Sequence, residues 1–182
     1  MKLLLYIFIF LIISIKSSLS LNTNATHAVV LDYKTNEILF EKLSNELTAP
    51  ASMTKIMTAY ITFDRIKNGW VKLDDIFIVS ENAWKKGGEL SGSSTMFLKV
   101  NQKVTLSDLL RGMIVQSGND ASICIAENIS GSEEKFVSLM NEYAENLGMI
   151  NTNFQNSSGW PDPDHYSTMK DLAILSKSII ND

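Results

Sequence analysis

Pro50-Ala51-Ser52-Met53-Thr54-Lys55-Ile56-Met57-Thr58-Ala59-Tyr60 is the stretch that decides how this chain is read. A serine followed three residues later by a lysine puts both side chains on one helix face. An amine there can take the hydroxyl proton as the oxygen attacks a carbonyl. Ile56, Tyr60 and Phe63 continue at helical spacing and Gly69 supplies a stop, so the segment predicts a largely buried helix that carries Lys55 out of water. Desolvation lowers an ammonium pKa toward neutrality, as a general base requires. The helix N-terminus also presents unpaired backbone N–H groups close to where an oxyanion forms. On local sequence alone, Ser52 serves equally well as an N-cap with Lys55 reaching solvent.

The same spacing recurs at Ser132/Lys135 and Ser167/Lys170. Ser132 follows Gly131 and precedes two glutamates at the head of an amphipathic run, which is the setting of an N-cap. Ser167 lies where the last helix begins, with Thr168 and Asp171 at capping-box spacing. Both pairs are read as structural. Further along, Gln116-Ser117-Gly118-Asn119-Asp120 is a polar break between two helices. Gly118 permits a tight turn there, so that Ser117 and Asn119 can aim at one spot; the alternative is a helix stop with Asn119 as the next N-cap. Ser-x-Asn also occurs at Ser20/Asn22 and Ser80/Asn82, so the interhelical setting carries the signal.

Outward from these motifs, Ala28 to Leu31 and Ile38 to Glu41 are β-prone runs around a turn in which Asn36 tolerates positive φ, predicting a hairpin. Helices are expected over Leu106 to Gln116, Asp120 to Ile129 and Glu133 to Leu147, with a last one starting near Thr168. Val71 to Gln102 reads as irregular, the Lys86-Gly87-Gly88 and Ser91-Gly92-Ser93-Ser94 clusters suggesting loops and short extended pieces. Lys2, the apolar run Leu3 to Ile13 and small residues Ser18 and Ser20 read as a secretory leader with cleavage after Ser20, the alternative being a segment retained as a membrane anchor. That leader places the chain across the cytoplasmic membrane, in the periplasm or cell envelope.

The composition is that of an ordinary globular domain: 182 residues, 45% hydrophobic and 20% charged. A net charge of −4 argues against a nucleic-acid footprint. One cysteine, Cys124, and two histidines, His27 and His165, leave little for a metal centre, and none is expected. Cys124 sits in an apolar stretch and reads as a small buried hydrophobe. His165 reads as an exposed loop residue, and Trp70, Trp84 and Trp160 as packing residues.

Taken in order, the Ser52-Met53-Thr54-Lys55 and Ser117-Gly118-Asn119-Asp120 elements resemble those of the penicillin-binding serine D-alanyl-D-alanine carboxypeptidases. The likeness extends through Gly92-Ser93-Ser94-Thr95-Met96-Phe97, Phe136-Val137 with Met140-Asn141, Leu147-Gly148-Met149 and Ser158-Gly159-Trp160-Pro161-Asp162. It implies an α+β fold of the β-lactamase/DD-peptidase-like transpeptidase type, and serine acyl transfer on peptidoglycan stem peptides ending in D-Ala-D-Ala. Ser52 would be the nucleophile, Lys55 the proton acceptor, Ser117 a proton relay to the leaving D-Ala, and Asn119 the group that holds Lys55 and the substrate amide. No cofactor is implied, and β-lactams would acylate the same serine.

The resemblance also implies a Lys-Thr-Gly strand that binds the substrate carboxylate and supplies a second oxyanion donor. After Ser117 no lysine is followed by Thr or Ser and then Gly. The expectation is therefore a truncated fold: a leader over 1–20, then an incomplete catalytic domain over 21–182 with a hairpin and helices but without the later strands. Two other readings stand beside the enzyme. One is a non-catalytic remnant or secreted module that binds stem peptide or protein. The other is a half completed by a separately encoded C-terminal fragment adding strands at an open edge.

Overall fold

The computed structural model describes residues 21–181, so the leader expected over 1–20 lies outside the described residues. Strand β1 (Ala28–Leu31) pairs antiparallel with β2 (Ile38–Lys42). Asn36 takes φ 63° in the connecting turn, and the Asp32 carboxylate accepts the N–H groups of Lys34 and Thr35 at 2.9 and 2.7 Å. A single 3-10 turn, Ala51–Thr54, runs directly into helix α1 (Lys55–Lys67). β3 (Ile76–Ile78) pairs antiparallel with β4 (Lys103–Thr105), turning Phe77 and Val104 inward.

Helix α2 (Glu81–Gly87) lies inside the region that the sequence suggested was irregular, and it corrects that expectation. Its signals are ordinary ones. Ser80 Oγ accepts the Ala83 N–H at 2.9 Å, and Glu81 pairs with Lys85 at 2.7 Å one turn on. The two glycines hid it, yet Gly87 belongs in the helix because a Cβ there would come within 2.3 Å of the Asp120 backbone nitrogen. Four longer helices complete the fold: α3 (Leu106–Gln116), α4 (Asn119–Ser130), α5 (Glu133–Asn146) and α6 (Met169–Asn181). Ser132 Oγ caps α5 through the Lys135 N–H at 3.3 Å, and Thr168 Oγ1 accepts the Asp171 N–H at 3.1 Å. Ser132 and Thr168 are capping residues, as their sequence setting indicated, while Ser167 Oγ bonds Thr152 Oγ1 and Lys170 pairs with Glu41.

Helix α4 organises the interior, because every residue from Asn119 to Ala126 is buried and no face is left for water. On one side Phe77, Val79, Leu106, Leu109 and Met113 pack with Ile125. On the other, Met57, Ile61, Phe136, Met140, Phe154 and Leu175 pack around Ala126. Each such large side chain contributes about 1.5–3 kcal/mol through removal from water. Cys124 is fully buried, and burial pushes its thiol up to about 12, which leaves it unreactive.

Helix α1 departs from its predicted stripe. Its buried face carries Met57, Thr58, Ile61 and Thr62, whereas Ile56 and Tyr60 are half-buried and Phe63 is 41% exposed. Tyr60 packs edge-on against Tyr143 of α5. Ile56 and Phe63 instead border an apolar groove of about 600 Å³, whose other walls are Met113 and Ile114 of α3 and Ile179 and Ile180 of α6. Two of the three tryptophans also differ from expectation, Trp84 being half-buried. Trp70 is 72% and Trp160 46% exposed; Trp70 is covered by the Arg65 guanidinium at 4.4 Å rather than by core.

Candidate active site

Ser52 and Lys55 lie at the junction of the 3-10 turn with α1, on the wall of this groove. Ser52 is exposed while Lys55, three residues on, is 6% exposed. The Lys55 amine donates to Asn119 Oδ1 at 2.7 Å and to the Ser158 carbonyl at 2.6 Å, and stands 3.4 Å from Ser52 Oγ. Ser117 Oγ donates to Ser52 Oγ at 3.1 Å. The structure thus brings all four sequence-nominated residues together. Burial takes Lys55 well below its ordinary value, to about 8.

This geometry suits the neutral form of the amine to accepting a proton from Ser52. A neutral amine has two N–H bonds and one lone pair. Its two N–H bonds are claimed by the short contacts to Asn119 and Ser158, so the lone pair falls on the longer contact toward Ser52. The converging groups are two hydroxyls, an amine and an amide, a set suited to moving a proton rather than to holding a divalent cation.

Strained backbone presents both hydroxyls. Ala51, next to Ser52, has φ 47°, and Ser117, at the C-cap of α3, has φ 58°. It is Ser117 and not Gly118 that takes the left-handed conformation of the interhelical loop; Gly118, at φ −59°, is the N-cap of α4. Asn119 therefore begins the helix and its side chain is released for Lys55. Asp120 is fully buried beside it, and its carboxylate accepts from Thr95 Oγ1 and from the N–H groups of Met96 and Leu98 at 2.7, 2.8 and 3.0 Å. The Asn119 N–H donates to the Ser94 carbonyl at 2.9 Å. The Gly92-to-Phe97 segment is thereby tied to the Ser117–Asp120 loop.

Sequence reasoning singled out Ser158-Gly159-Trp160 as part of the resemblance but gave no role to the segment, which covers Lys55. Residues 155–160 run between α1, α4 and α5. The Ser157 carbonyl accepts from Thr58 Oγ1 and Ser122 Oγ, each at 2.7 Å, and the buried Glu133 carboxylate accepts from Ser157 N and Oγ at 3.1 and 2.8 Å. Asn156 Oδ1 accepts the N–H groups of Gly159 and Trp160 at 2.7 and 2.9 Å, closing the turn. Gly159, at φ 82°, presses so closely on the Ser52 turn that a Cβ would come within 1.8 Å of the Ala51 carbonyl.

His165 corrects the expectation of an exposed loop histidine: it is 4% exposed. The Gln155 N–H donates to His165 Nδ1 at 3.1 Å, so the ring proton resides on Nε2, which donates to Thr54 Oγ1 at 2.8 Å. Burial holds this histidine below its ordinary pKa, with the Asp162 carboxylate pulling the other way.

Comparison with known proteins shows the family. The peptidase S11 family, described as D-alanyl-D-alanine carboxypeptidase, matches residues 14–182. D-alanyl-D-alanine carboxypeptidase DacC of Escherichia coli K12 is 44% identical over 155 residues, covering 85% of this chain and 39% of the relative. Among solved structures, the D-alanyl-D-alanine carboxypeptidase DacD from Francisella tularensis superposes with a TM-score of 0.82 at 42% identity, over 88% of this chain and 38% of that one. Penicillin binding protein 5 from Haemophilus influenzae gives 0.84 at 39%, over 88% and 46%. The chain belongs to the D-alanyl-D-alanine carboxypeptidase family and has the α+β fold of its penicillin-binding members. It spans 39% of the length of the Escherichia coli relative.

Proposed function

We propose that this chain carries the nucleophilic half of a serine D-Ala-D-Ala carboxypeptidase acting on peptidoglycan stem peptides. The observation that supports it best is the buried Lys55 amine, with two acceptors on its N–H bonds and its remaining position facing Ser52 Oγ. Ser52 attacks the carbonyl of the penultimate D-Ala as its proton passes to Lys55. Ser117, 3.1 Å from Ser52 Oγ, relays a proton to the departing D-Ala amine. Asn119 holds the amine in register and offers its amide to the substrate. Water then hydrolyses the ester on Ser52, returning a shortened peptide and a free serine. A β-lactam enters the same sequence through its strained amide and leaves an acyl group on Ser52.

Two parts of the reaction need groups beyond those described: a cation for the substrate carboxylate, and a second donor for the oxyanion. The Lys-Thr-Gly strand implied by the resemblance would supply both, from a segment outside these 182 residues, encoded in the same chain or separately. The N-terminal leader would deliver the protein across the cytoplasmic membrane, where the polymer lies; the mass of the secreted chain tests cleavage after Ser20.

The deciding experiment is covalent labelling of the chain by a fluorescent penicillin beside Ser52→Ala. Labelling that disappears in the variant is the expected result. A folded chain that takes no label would overturn stand-alone acylation and favour the binding module; label restored by adding a Lys-Thr-Gly-bearing fragment would identify the completing half.

A further inference from the structure

Two oppositely directed bonds meet on His165, a group that the proton path above does not use. Its Nδ1 accepts from Gln155 at the start of the covering loop, and its Nε2–H donates to Thr54, the residue before Lys55. Thr54 is fully buried, so its hydroxyl has no water to exchange with. Phe154 braces the ring edge-on with centroids 5.7 Å apart, which fixes its tilt. The bonds from Thr58, Ser122 and Glu133 all end on Ser157, and Lys55 takes the Ser158 carbonyl. The imidazole instead fastens the Gln155 end to the turn that presents Ser52.

We propose that His165 is a positioning residue, whose bond to Thr54 locks the Ser52–Lys55 turn against the 155–159 loop and thereby keeps the Lys55 amine dry. This rests on the reading of Lys55 as proton acceptor. The close approach of Gly159 to the Ala51 carbonyl leaves the two segments no slack. A small separation therefore draws the Ser158 carbonyl off the amine and admits water. Because burial is what lowers Lys55, admission of water returns it toward the ordinary lysine range. The ring must be neutral to hold both bonds, because a second proton would place an N–H on Nδ1, facing the Gln155 N–H, donor against donor.

Two variants of the full chain separate this role from general packing. His165→Asn sets an amide oxygen close to where Nδ1 lies and so keeps an acceptor for Gln155, while losing the bond to Thr54. Thr54→Val removes the same bond from its other end with little change of shape. Titration of Lys55 by NMR of the 15N-lysine-labelled chain is expected to show its midpoint rising by about one unit in both, with penicillin acylation at neutral pH falling about tenfold. Ser80→Ala, which uncaps α2, serves as a destabilised control and leaves the midpoint unchanged. A midpoint that stays put or falls in either folded variant overturns the proposal. If the parent chain takes no penicillin at all, the functional reading fails separately, and the Lys55 titration still decides the coupling.

Discussion

Ser52/Lys55 and Ser132/Lys135 are the same two residue types at the same spacing, each pair at the head of a helix, and the fold uses them in opposite ways. At Ser132 the hydroxyl turns back onto its own helix and caps the Lys135 N–H, while the Lys135 side chain is exposed. At Ser52 the turn entering α1 has no side-chain cap, the hydroxyl is exposed, and the lysine is the buried partner. Gly131 and the two glutamates after Ser132 mark that serine as a cap, but nothing within four residues of Lys55 accounts for its burial. Its origin is what packs on top: the 155–160 loop roofs Lys55, whereas Lys135 stays open to water. A Ser-x-x-Lys pair becomes chemical when tertiary structure dehydrates the lysine and supplies acceptors for all but one of its amine positions.

The sharpest way to break this comparison is to remove each hydroxyl in turn. Ser52→Ala is expected to abolish covalent penicillin labelling, while Ser132→Ala leaves it intact, as read by fluorescence of the denatured chain on a gel. Next come the lysines. Lys55→Arg keeps the charge but not the readiness to release a proton, and acylation is expected to fall by roughly 10²–10⁴. Lys135→Arg is expected to change nothing measurable.

Acylation should also report the dehydration of Lys55 through pH. With Lys55 brought down to about 8 by burial, the amine is charged below that value and cannot accept the Ser52 proton. Acylation rates are expected to climb about tenfold per unit on the acid side and to level off above about 8. The stability of the chain should follow the same group with the matching sign. Between the folded value near 8 and the higher unfolded value, the unfolded chain binds more protons, so rising pH favours the folded state. A rate profile that is flat through this window would mean that Lys55 is not the acceptor and that the contrast with Lys135 is one of packing alone.

How much of this was legible in the sequence follows from the range of the interactions. Caps and periodicity act over three or four residues, so α3, α4, α5 and the capping roles of Ser132 and Thr168 could be read directly. For Ser52, Lys55, Ser117 and Asn119 local spacing left a capping role equally open, and it was the order and context of the two motifs, through the family resemblance, that singled them out. The role of the covering loop was not legible. Its contribution to Lys55 comes through the Ser158 backbone carbonyl, 103 residues away, which any amino acid possesses. His165 was misread for the same reason, since its burial depends on Thr54, 111 residues earlier. Helix α2 was hidden by a glycine kept there by the approach of Asp120 rather than by any turn. Ile56 and Phe63 have core spacing but border an open groove, a distinction that periodicity does not carry.

The smallest effect tests the structural member of the pair. Ser132→Ala removes one cap bond at a half-buried position and is expected to cost about 1 kcal/mol, whereas Ser132→Gly should cost a few tenths. For a domain of this size a loss of about 1 kcal/mol lowers Tm by roughly 2–4 °C, within reach of calorimetry. Labelling of Ser52 should proceed at its parental rate, because the neighbouring Glu133 keeps both of its bonds to Ser157 whatever caps the helix behind it. Slower labelling in Ser132→Ala would carry a specific meaning: fraying of the first turn of α5 would have reached the covering loop through Glu133, and the two Ser-x-x-Lys sites would be mechanically connected through Ser157 instead of independent.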